Sequence, residues 1–522
     1  MTQKARMTLE KNGHQFSPIS ADLKNMPADR KNKKTLPVQP PLATKANPDD
    51  ETAMLKNIRS RNTSSDFLKS QFIKRRLNNL AILIMACLLA ALPFAKAANA
   101  AGLIRDAEAE NLIRDYSIPI LQAAGLSSQN ISIHIINDKN FNAFVVDGRN
   151  MFINMGAIMQ SKTPNQLIGV MAHEAGHIAG GHLSRLRAHA AKAQTLDLML
   201  KILGGAMLIA GGAGGGKDLG KAGQGIFAGS SYQTYRSMNQ YRQTEEYAAD
   251  QAAFVYLTRT KQSARGMIET FEYFASQAIG SLKYSDPYVL SHPLPRARIN
   301  QLREKAERSP YFNKKDPPAL QLRHDMVRAK LVAFTSQAGY VYNRFPNSDQ
   351  SRPARYARAI ATFRSTGIKA FLPKVNKLLA EDPNNPYLHE LKGQFLLESG
   401  NAKAAIPSLK KSVNLDPRAA IIRIMLAQAI SQQPGGGNPD VIINHLKKAL
   451  VREKRSAIGY RLLANAYGRK RMIGEASLAS AHAYFFEGKL QDAKMQAKRA
   501  QNRLKKNSPK WIQANDILSF RR

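Results

Sequence analysis

Cysteine is almost absent from this sequence, which limits how the chain can be cross-linked and how it can bind a metal. The 522 residues include one cysteine, Cys87, and one tryptophan. A single cysteine excludes an internal disulfide framework and any zinc site built from several cysteines. If the protein binds a metal, histidine and carboxylate side chains must hold it.

Acidic residues are also scarce relative to basic ones. Asp and Glu together number 38 against 77 Lys and Arg, which gives a net charge of +39. Such an excess favours peripheral contact with an anionic membrane surface, although a generally basic composition explains it equally well. The basic residues are spread along the chain and form no recognisable nucleic-acid-binding motif, so nucleic acid is not expected as a partner.

An apolar run near the N-terminus is too short to span a membrane. It covers residues 80–92, follows the basic stretch 74–76 and precedes two Ala-x-Ala sequences within 95–100. A span needs about 20 residues, whereas a basic segment, a short apolar segment and small residues at a cleavage site are typical of a secretory signal peptide. We therefore predict a cleavable signal peptide and a periplasmic protein.

The residues before this signal are rich in Lys, Asn, Pro and Asp and lack hydrophobic periodicity, which predicts disorder. Met54 is a candidate for an alternative start that would remove most of them. Cys87 lies in the middle of the apolar run rather than at its end, which disfavours a lipoprotein. The mature protein is expected to begin near Ala98 or Ala101.

Helices and strands alternate in the part of the chain that follows the signal. Residues 103–125 have apolar positions at helical spacing. Residues 130–138 alternate as a strand does, and 142–158 predicts two further strands joined by an Asp-Gly turn. A helix is expected from about Thr163, because a proline follows that threonine at a position suited to a first helical turn.

A glycine-rich apolar segment separates that helix from the next one. Residues 196–229 contain too many glycines for a membrane span, which favours a mobile cover over a cleft or an interfacial segment. A long helix is predicted to start near Tyr235, and the domain should close around Arg303.

The C-terminal part carries a repeat. Asp-Pro occurs at 382–383 and again 34 residues later at 416–417, and 34 residues of helix–turn–helix is the tetratricopeptide period. The predicted helix pairs are 386–398 with 402–414, 419–432 with 439–452, and 456–468 with 474–485. Such pairs stack to bury their apolar faces, which predicts an α-solenoid; a non-repeating helical bundle is the alternative.

The sequence HEAGH at 173–177 has the spacing of a zinc site. Side chains four residues apart share one face of a helix, so His173 and His177 can present two imidazole nitrogens to one ion. Glu174 is rotated by about 100° from His173, which places it beside the ion as a general base for a metalloprotease.

Two candidates exist for a third ligand. His182 follows a glycine as in the HExxHxxGxxH pattern, but that pattern requires its last histidine at position 183, which is leucine. His182 is therefore expected at the helix end or beside a ligand. On a second helix, Glu246 and Asp250 are four residues apart and share a face, so Glu246 can bind the ion while Asp250 orients a histidine.

HExxH followed by ExxxD on a second helix resembles the zinc metallopeptidases that include the CAAX prenyl proteases and the HtpX heat-shock proteases. The stretches NAF at 142–144 and HPLPRARI at 292–299 are similar to that family. A secretory signal and C-terminal tetratricopeptide repeats resemble its BepA-like periplasmic branch.

The resemblance implies one Zn²⁺ per chain at His173, His177 and Glu246, catalysis by Glu174 and support from Asp250. It also implies a gluzincin fold, with helices around the site and a small sheet whose edge lies beside the cleft. An extended substrate can add to such an edge through main-chain hydrogen bonds.

Two further features have open alternatives. The segment 144–150 is the candidate edge for substrate, or else an ordinary core hairpin. His292 lies before a proline and can stabilise an oxyanion, occupy the open position of the ion in a latent state, or lie in a surface turn. Arg296 and Arg298 are expected to be structural.

The predicted fold is mainly α, a gluzincin-type metalloprotease domain followed by a tetratricopeptide solenoid. The predicted divisions are a disordered extension (1–73), a signal peptide (74–100), a metalloprotease domain (101–310), a helical linker (311–370), a repeat domain (371–500) and a basic tail (501–522).

The expected function is degradation of misfolded or stalled envelope and outer-membrane proteins, with the repeats recruiting substrate or assembly machinery. The alternative is a non-proteolytic chaperone or scaffold with a structural metal domain. Because a purely structural metal site would not need Glu174, the sequence favours the enzyme.

Overall fold

The structure is a computed structural model that describes residues 102–128, 130–210, 217–278, 288, 292 and 296–521. All of these residues belong to one compact unit. The predicted extension and signal peptide, with Met54 and Cys87, lie outside the described residues. Within the described ranges, no helix has the length and apolarity needed for a transmembrane span.

A small sheet opens the folded part of the chain. Its strands are β1 (Leu103–Ile104), β2 (Ser132–Ile136), β3 (Ala143–Val146) and β4 (Asn150–Asn154). They lie in the order β1-β2-β4-β3, with β2 parallel to β4 and the other two pairs antiparallel. The Asp-Gly turn and the strands on either side of it are confirmed as β3 and β4, and β3 is an edge strand of this sheet. The prediction of strand as far as residue 158 is wrong, because a helix begins at Met155 directly after β4.

The prediction of one helix over 103–125 is wrong at its start. Leu103 and Ile104 pair with β2, and helix α1 (Ala107–Ala123) begins after them. Asp106 sets this boundary because its carboxylate accepts a hydrogen bond from the backbone N–H of Ala109 at 2.8 Å, which caps the helix.

The remaining helices of the N-terminal half surround the candidate site. They are α2 (Met155–Gln160), α3 (Pro164–Gly180), α4 (His182–Ala210), α5 (Lys217–Arg259), α6 (Arg265–Ala278) and α7 (Arg296–Glu307). As predicted, Thr163 caps α3 and Pro164 opens it. The next long helix, α5, begins at Lys217 rather than near Tyr235, because it packs lengthwise against α4.

Helices α3 and α5 cross closely where the candidate site lies. Gly176 of α3 has no side chain at the contact, and a Cβ there would lie 2.8 Å from the carbonyl oxygen of Ala249 on α5. The backbones therefore approach to a distance that only glycine permits.

The predicted role of 196–229 as a mobile cover stays a prediction, and residues 211–216 of it lie outside the described ranges.

The C-terminal half is a helical repeat region. Its helices are α8 (Pro318–Thr335), α9 (Ala338–Arg344), α10 (Arg352–Thr366), α11 (Ile368–Glu381), α12 (Pro386–Glu398), α13 (Ala402–Leu415), α14 (Ala420–Ser431), α15 (Pro439–Leu450), α16 (Ala457–Arg469), α17 (Ile473–Phe486), α18 (Leu490–Gln501) and α19 (Pro509–Ser519). The six repeat helices predicted from the sequence are confirmed, and every helix end lies within two residues of its predicted position.

Helix α1 joins the N-terminal half to these repeats through buried charges. Lys330 of α8 lies 2.6 Å from an Asp106 oxygen, 3.3 Å from Glu108 and 3.4 Å from Glu390 of α12. All four residues are buried. One ammonium among three carboxylates therefore ties the start of α1 to the repeat helices.

Candidate metal centre

Four side chains from different parts of the chain converge on one point. His173 and His177 come from α3, Glu246 comes from α5, and His292 lies just before α7. Each offers one nitrogen or oxygen, and these atoms all lie within 4.8 Å of one another. The structure thus brings together the three predicted ligands and adds His292 to them.

The distances within this group match those between ligands of one small ion. The Nε2 atoms of His173 and His177 are 3.0 Å apart, and they lie 3.3 and 3.4 Å from oxygens of Glu246. Ligands about 2.0–2.1 Å from a tetrahedral zinc are separated by about 3.3–3.4 Å. The three side chains are therefore already spaced as a zinc site requires.

His292 lies on the remaining side of the group. Its Nδ1 is 3.0 Å from Glu246 Oε1 and 3.4 Å from His173 Nε2. These separations are those of a fourth tetrahedral corner. The alternative that His292 lies in a surface turn is wrong, because the side chain is buried and faces the group.

His173 is oriented by Asp250. The ring donates from Nδ1 to Asp250 Oδ1 at 2.9 Å, which directs the Nε2 lone pair towards the converging atoms. Arg298 of α7 in turn binds Asp250 through Nε and one terminal nitrogen, and its other terminal nitrogen lies 3.2 Å from Glu246 Oε2. One guanidinium thus positions both Glu246 and Asp250.

Glu174 lies at the same site, and one of its carboxylate oxygens accepts no hydrogen bond from the described residues. The residue is 1% exposed, and its Oε1 has no hydrogen-bond partner among the described residues. The Nε2 atom of His292 lies 3.5 Å from this oxygen. Burial raises the pKa of this carboxyl above its usual value, so it holds a proton more strongly than an exposed glutamate does.

The electrostatic field of the site favours a positive charge at its centre. Burial alone would lower the pKa of His173, but hydrogen bonds to Asp250 and Glu246 raise it to about 9. Burial opposes ionisation of Glu246, yet its close contacts with His292, His173 and His177 hold its pKa far below the usual range. An ionised carboxylate and oriented imidazoles suit a divalent cation.

Two further residues contact the site. Arg298, expected to be structural, contacts Glu246 and Asp250 and holds these two buried carboxylates in place. Tyr288 was not anticipated, and its ring packs against that of His292 with centroids 4.9 Å apart. No spacing pattern in the sequence indicates that contact.

His182 lies outside the group of four. It is buried at the start of α4, and its Nδ1 lies 2.9 Å from Nδ1 of His177, on the side of that ring away from the other ligands. Its ring therefore contacts a member of the group without being one.

Known proteins are similar to this chain across both halves. Residues 103–306 match the model of Peptidase family M48. Over 404 residues, the chain is 25% identical to the "Beta-barrel assembly-enhancing protease" of Escherichia coli (strain K12), an alignment that covers 76% of this chain and 79% of that protein. Over 374 residues, it is 23% identical to a protein of the same name from Yersinia pestis, covering 69% and 72% of the two chains.

A "Putative beta-barrel assembly-enhancing protease" of Vibrio cholerae is similar over a shorter length. It is 24% identical over 261 residues, which cover 48% of this chain and 51% of that protein. The family match contains all four converging side chains, and the longer alignments extend from that segment into the repeat helices.

Proposed function

We propose that this zinc metalloprotease, whose residues 103–306 match Peptidase family M48, is a periplasmic endopeptidase. Its proposed substrates are misfolded or stalled envelope and outer-membrane proteins. The observation that carries the proposal is the convergence of His173, His177 and Glu246 beside the buried Glu174. The names of the relatives, which refer to β-barrel assembly, support outer-membrane proteins as substrates.

We assign one zinc ion per chain to His173, His177 and Glu246. The separations of 3.0–3.4 Å between their donor atoms support this set. When bound, zinc supplies Lewis-acid chemistry, because it polarises a carbonyl and makes water more acidic. Asp250 and Arg298 hold His173 and Glu246 in the orientation that the site needs.

Glu174 is the proposed general base. Its carboxyl lies beside the three ligands, and burial raises its pKa above the usual value, so the group holds an accepted proton more strongly than an exposed glutamate does. Glu174 takes a proton from the attacking water and delivers it to the nitrogen of the leaving amine. The free Oε1 is available for that exchange, because no described residue donates a hydrogen bond to it.

His292 is the proposed switch of a latent state. Its Nδ1 lies at the distances expected for the fourth position of the ion, where water and substrate must enter. This contact supports occupation of the open position over the alternative role in stabilising an oxyanion. Cleavage then requires His292 to move away from Glu246 and His173.

Strand β3 is the proposed binding edge for substrate. The segment 144–150 includes most of this strand and the turn after it, and β3 pairs with a neighbour on one side alone within the described sheet. Because β3 packs against α3, which carries the HEAGH sequence, an extended peptide added to this edge runs close to Glu174. Main-chain pairing explains how one site accepts many unfolded sequences.

The other regions have proposed roles in location and recruitment. A signal peptide at 74–100 directs the chain to the periplasm, with the metalloprotease domain at 101–310 and tetratricopeptide repeats at 371–500. The repeats recruit unfolded substrates or outer-membrane assembly machinery, and the net charge of +39 favours contact with an anionic membrane surface. Nucleic acid is not proposed as a partner.

Casein cleavage by the purified protein tests the assignment of Glu174. The wild type is compared with Glu174→Gln and with the control Glu304→Gln, an exposed carboxylate of α7, and zinc content is measured in all three. We expect equal zinc in all three proteins and a loss of about 10²–10⁴-fold in rate for Glu174→Gln alone.

The other outcomes of this experiment show which part of the proposal is wrong. Cleavage of casein by Glu174→Gln at the wild-type rate would refute Glu174 as the base. Absence of zinc from all three proteins would refute the ligand set. If all three contain zinc and none cleaves casein, His292→Ala should release activity; continued inactivity of that variant would contradict a latent protease and favour the scaffold.

A further inference from the structure

His182, Arg185 and Glu245 form a connected group of polar contacts behind His177. His182 Nδ1 lies 2.9 Å from His177 Nδ1, and the other ring nitrogen of His182 lies 3.0 Å from Glu245 Oε2. Arg185 holds that carboxylate with two nitrogens, at 2.6 and 3.1 Å. His182 and Glu245 are buried, whereas the Arg185 side chain is half exposed.

The chain is shaped locally to bring His182 back against α3. Gly181 ends α3 in the left-handed conformation with φ of 65°, and α4 begins at His182. The ring of His182 then folds over Gly180, where a Cβ would lie only 2.1 Å from Nε2. Glycine at position 180 therefore provides the space in which this ring sits.

The contacts of His182 fix which nitrogen of His177 carries its proton. The carboxylate of Glu245 lies 3.0 Å from Nε2 of His182, and its negative charge favours a proton on that nitrogen, so the neutral ring has a lone pair on Nδ1. That lone pair accepts from Nδ1–H of His177. The Nε2 lone pair of His177 is consequently left free, on the side facing His173 and Glu246.

From this geometry we propose that His182, held by Glu245, is a positioning residue for the zinc ligand His177. It fixes the tautomer and the ring orientation in which Nε2 can bind the ion, and the inference rests on the zinc ligands assigned under the proposed function. The arrangement parallels that of Asp250 with His173, but a second imidazole stands between the carboxylate and the ligand.

The zinc affinity of the full chain tests this inference. His182→Phe keeps a ring over Gly180 and removes both nitrogens, whereas His182→Asn keeps an oxygen close to the place of Nδ1. Zinc dissociation constants are measured by competition with a chromophoric chelator, and the visible spectrum of the cobalt(II)-substituted protein reports ligand geometry. The melting temperature of the zinc-depleted protein reports folding.

We expect His182→Phe to weaken zinc binding by about 10–100-fold, as loss of an orienting partner does. Its cobalt spectrum should change, its zinc-depleted melting temperature should stay near that of the wild type, and His182→Asn should recover most of the affinity. The matched control is His189→Phe, since His189 also lies on α4 but stacks on Tyr241; its affinity should equal that of the wild type.

Three results would overturn the inference. The first is a His182→Phe protein that matches the wild type in zinc affinity and cobalt spectrum. The second is a loss of affinity in His182→Phe that is no greater than the loss in His189→Phe. The third is a His182→Asn protein that recovers no affinity and whose zinc-depleted form melts below the wild type. The proposed function fails separately, through a wild type that binds no zinc or cleaves no substrate. A wild type that binds zinc and cleaves, beside an unaffected His182→Phe, refutes only the positioning role.

Discussion

The close crossing of α3 and α5 predicts that one added methyl group at Gly176 will damage the metal site. A Cβ at this position would lie 2.8 Å from the carbonyl oxygen and 3.0 Å from the Cα of Ala249. Ordinary contacts of this kind begin near 3.4 Å. Since both contacted atoms are backbone, the helices must move apart by about 0.6 Å, a shift larger than the tolerance of about 0.2 Å in metal–ligand distances.

That displacement separates His173 and His177 on α3 from Glu246 on α5. For Gly176→Ala we expect zinc binding to weaken by about 10–100-fold, comparable to other disturbances of ligand orientation. We also expect the overpacked contact to cost about 1–3 kcal/mol of the free energy of unfolding. Zinc affinity is measured by chelator competition and stability by urea unfolding of the zinc-depleted protein.

Gly169→Ala is the matched control. Gly169 also lies on α3, and a Cβ there would lie 2.6 Å from Cβ of Met267 on α6, a helix that supplies none of the four converging side chains. Both substitutions gain the same intrinsic helix propensity. We expect both to lower stability and only Gly176→Ala to lower zinc affinity; equal zinc affinities in the two variants would refute the argument from helix spacing.

Two predictions concern buried charges away from the metal site. Lys330→Met leaves three buried carboxylates without their cation, and urea unfolding at pH 8 should show a free energy of unfolding lower by about 3–5 kcal/mol. Because burial raises the pKa of Glu390 to about 7, the loss should be smaller at pH 5. A loss that does not change with pH would contradict this. Burial lowers the pKa of His324 to about 4, so its neutral form contributes stability above about pH 6.5 that is lost as pH falls through 4. His324→Gln should therefore be most destabilised relative to wild type at pH 7 and progressively less so towards pH 4, and a constant difference in unfolding free energy across that range would refute it.

Local spacing accounts for the parts of this structure that the sequence predicts. His173 and His177 share a face because four residues make about one helical turn, and the same rule places Glu246 and Asp250 together on α5. The repeat helices are predictable at their ends for a similarly local reason, since Asn385 caps α12 and a proline opens it. These features depend on a few adjacent residues.

The features that the sequence misses depend on contacts between distant segments. Leu103 and Ile104 fit a helical pattern, yet they pair with β2, a partner that periodicity does not reveal. The start of α5 at Lys217 contradicts the low helix propensity of its glycines, and lengthwise packing against α4 compensates for that cost. The position of His292 beside His173 joins residues 119 apart in sequence.

Charge balance is the one global constraint from which more of the site could have been predicted. Glu174, Glu246 and Asp250 bring three carboxylates into one buried site, and buried charges require compensation by opposite charges. A divalent cation compensates two of them, which leaves one positive charge to be supplied by the protein. The two arginines of the stretch 292–299 are Arg296, which is exposed, and Arg298, which is buried and contacts two of the carboxylates. A carboxylate count thus predicts a buried arginine in the metal site, and burial rather than sequence spacing identifies which one it is.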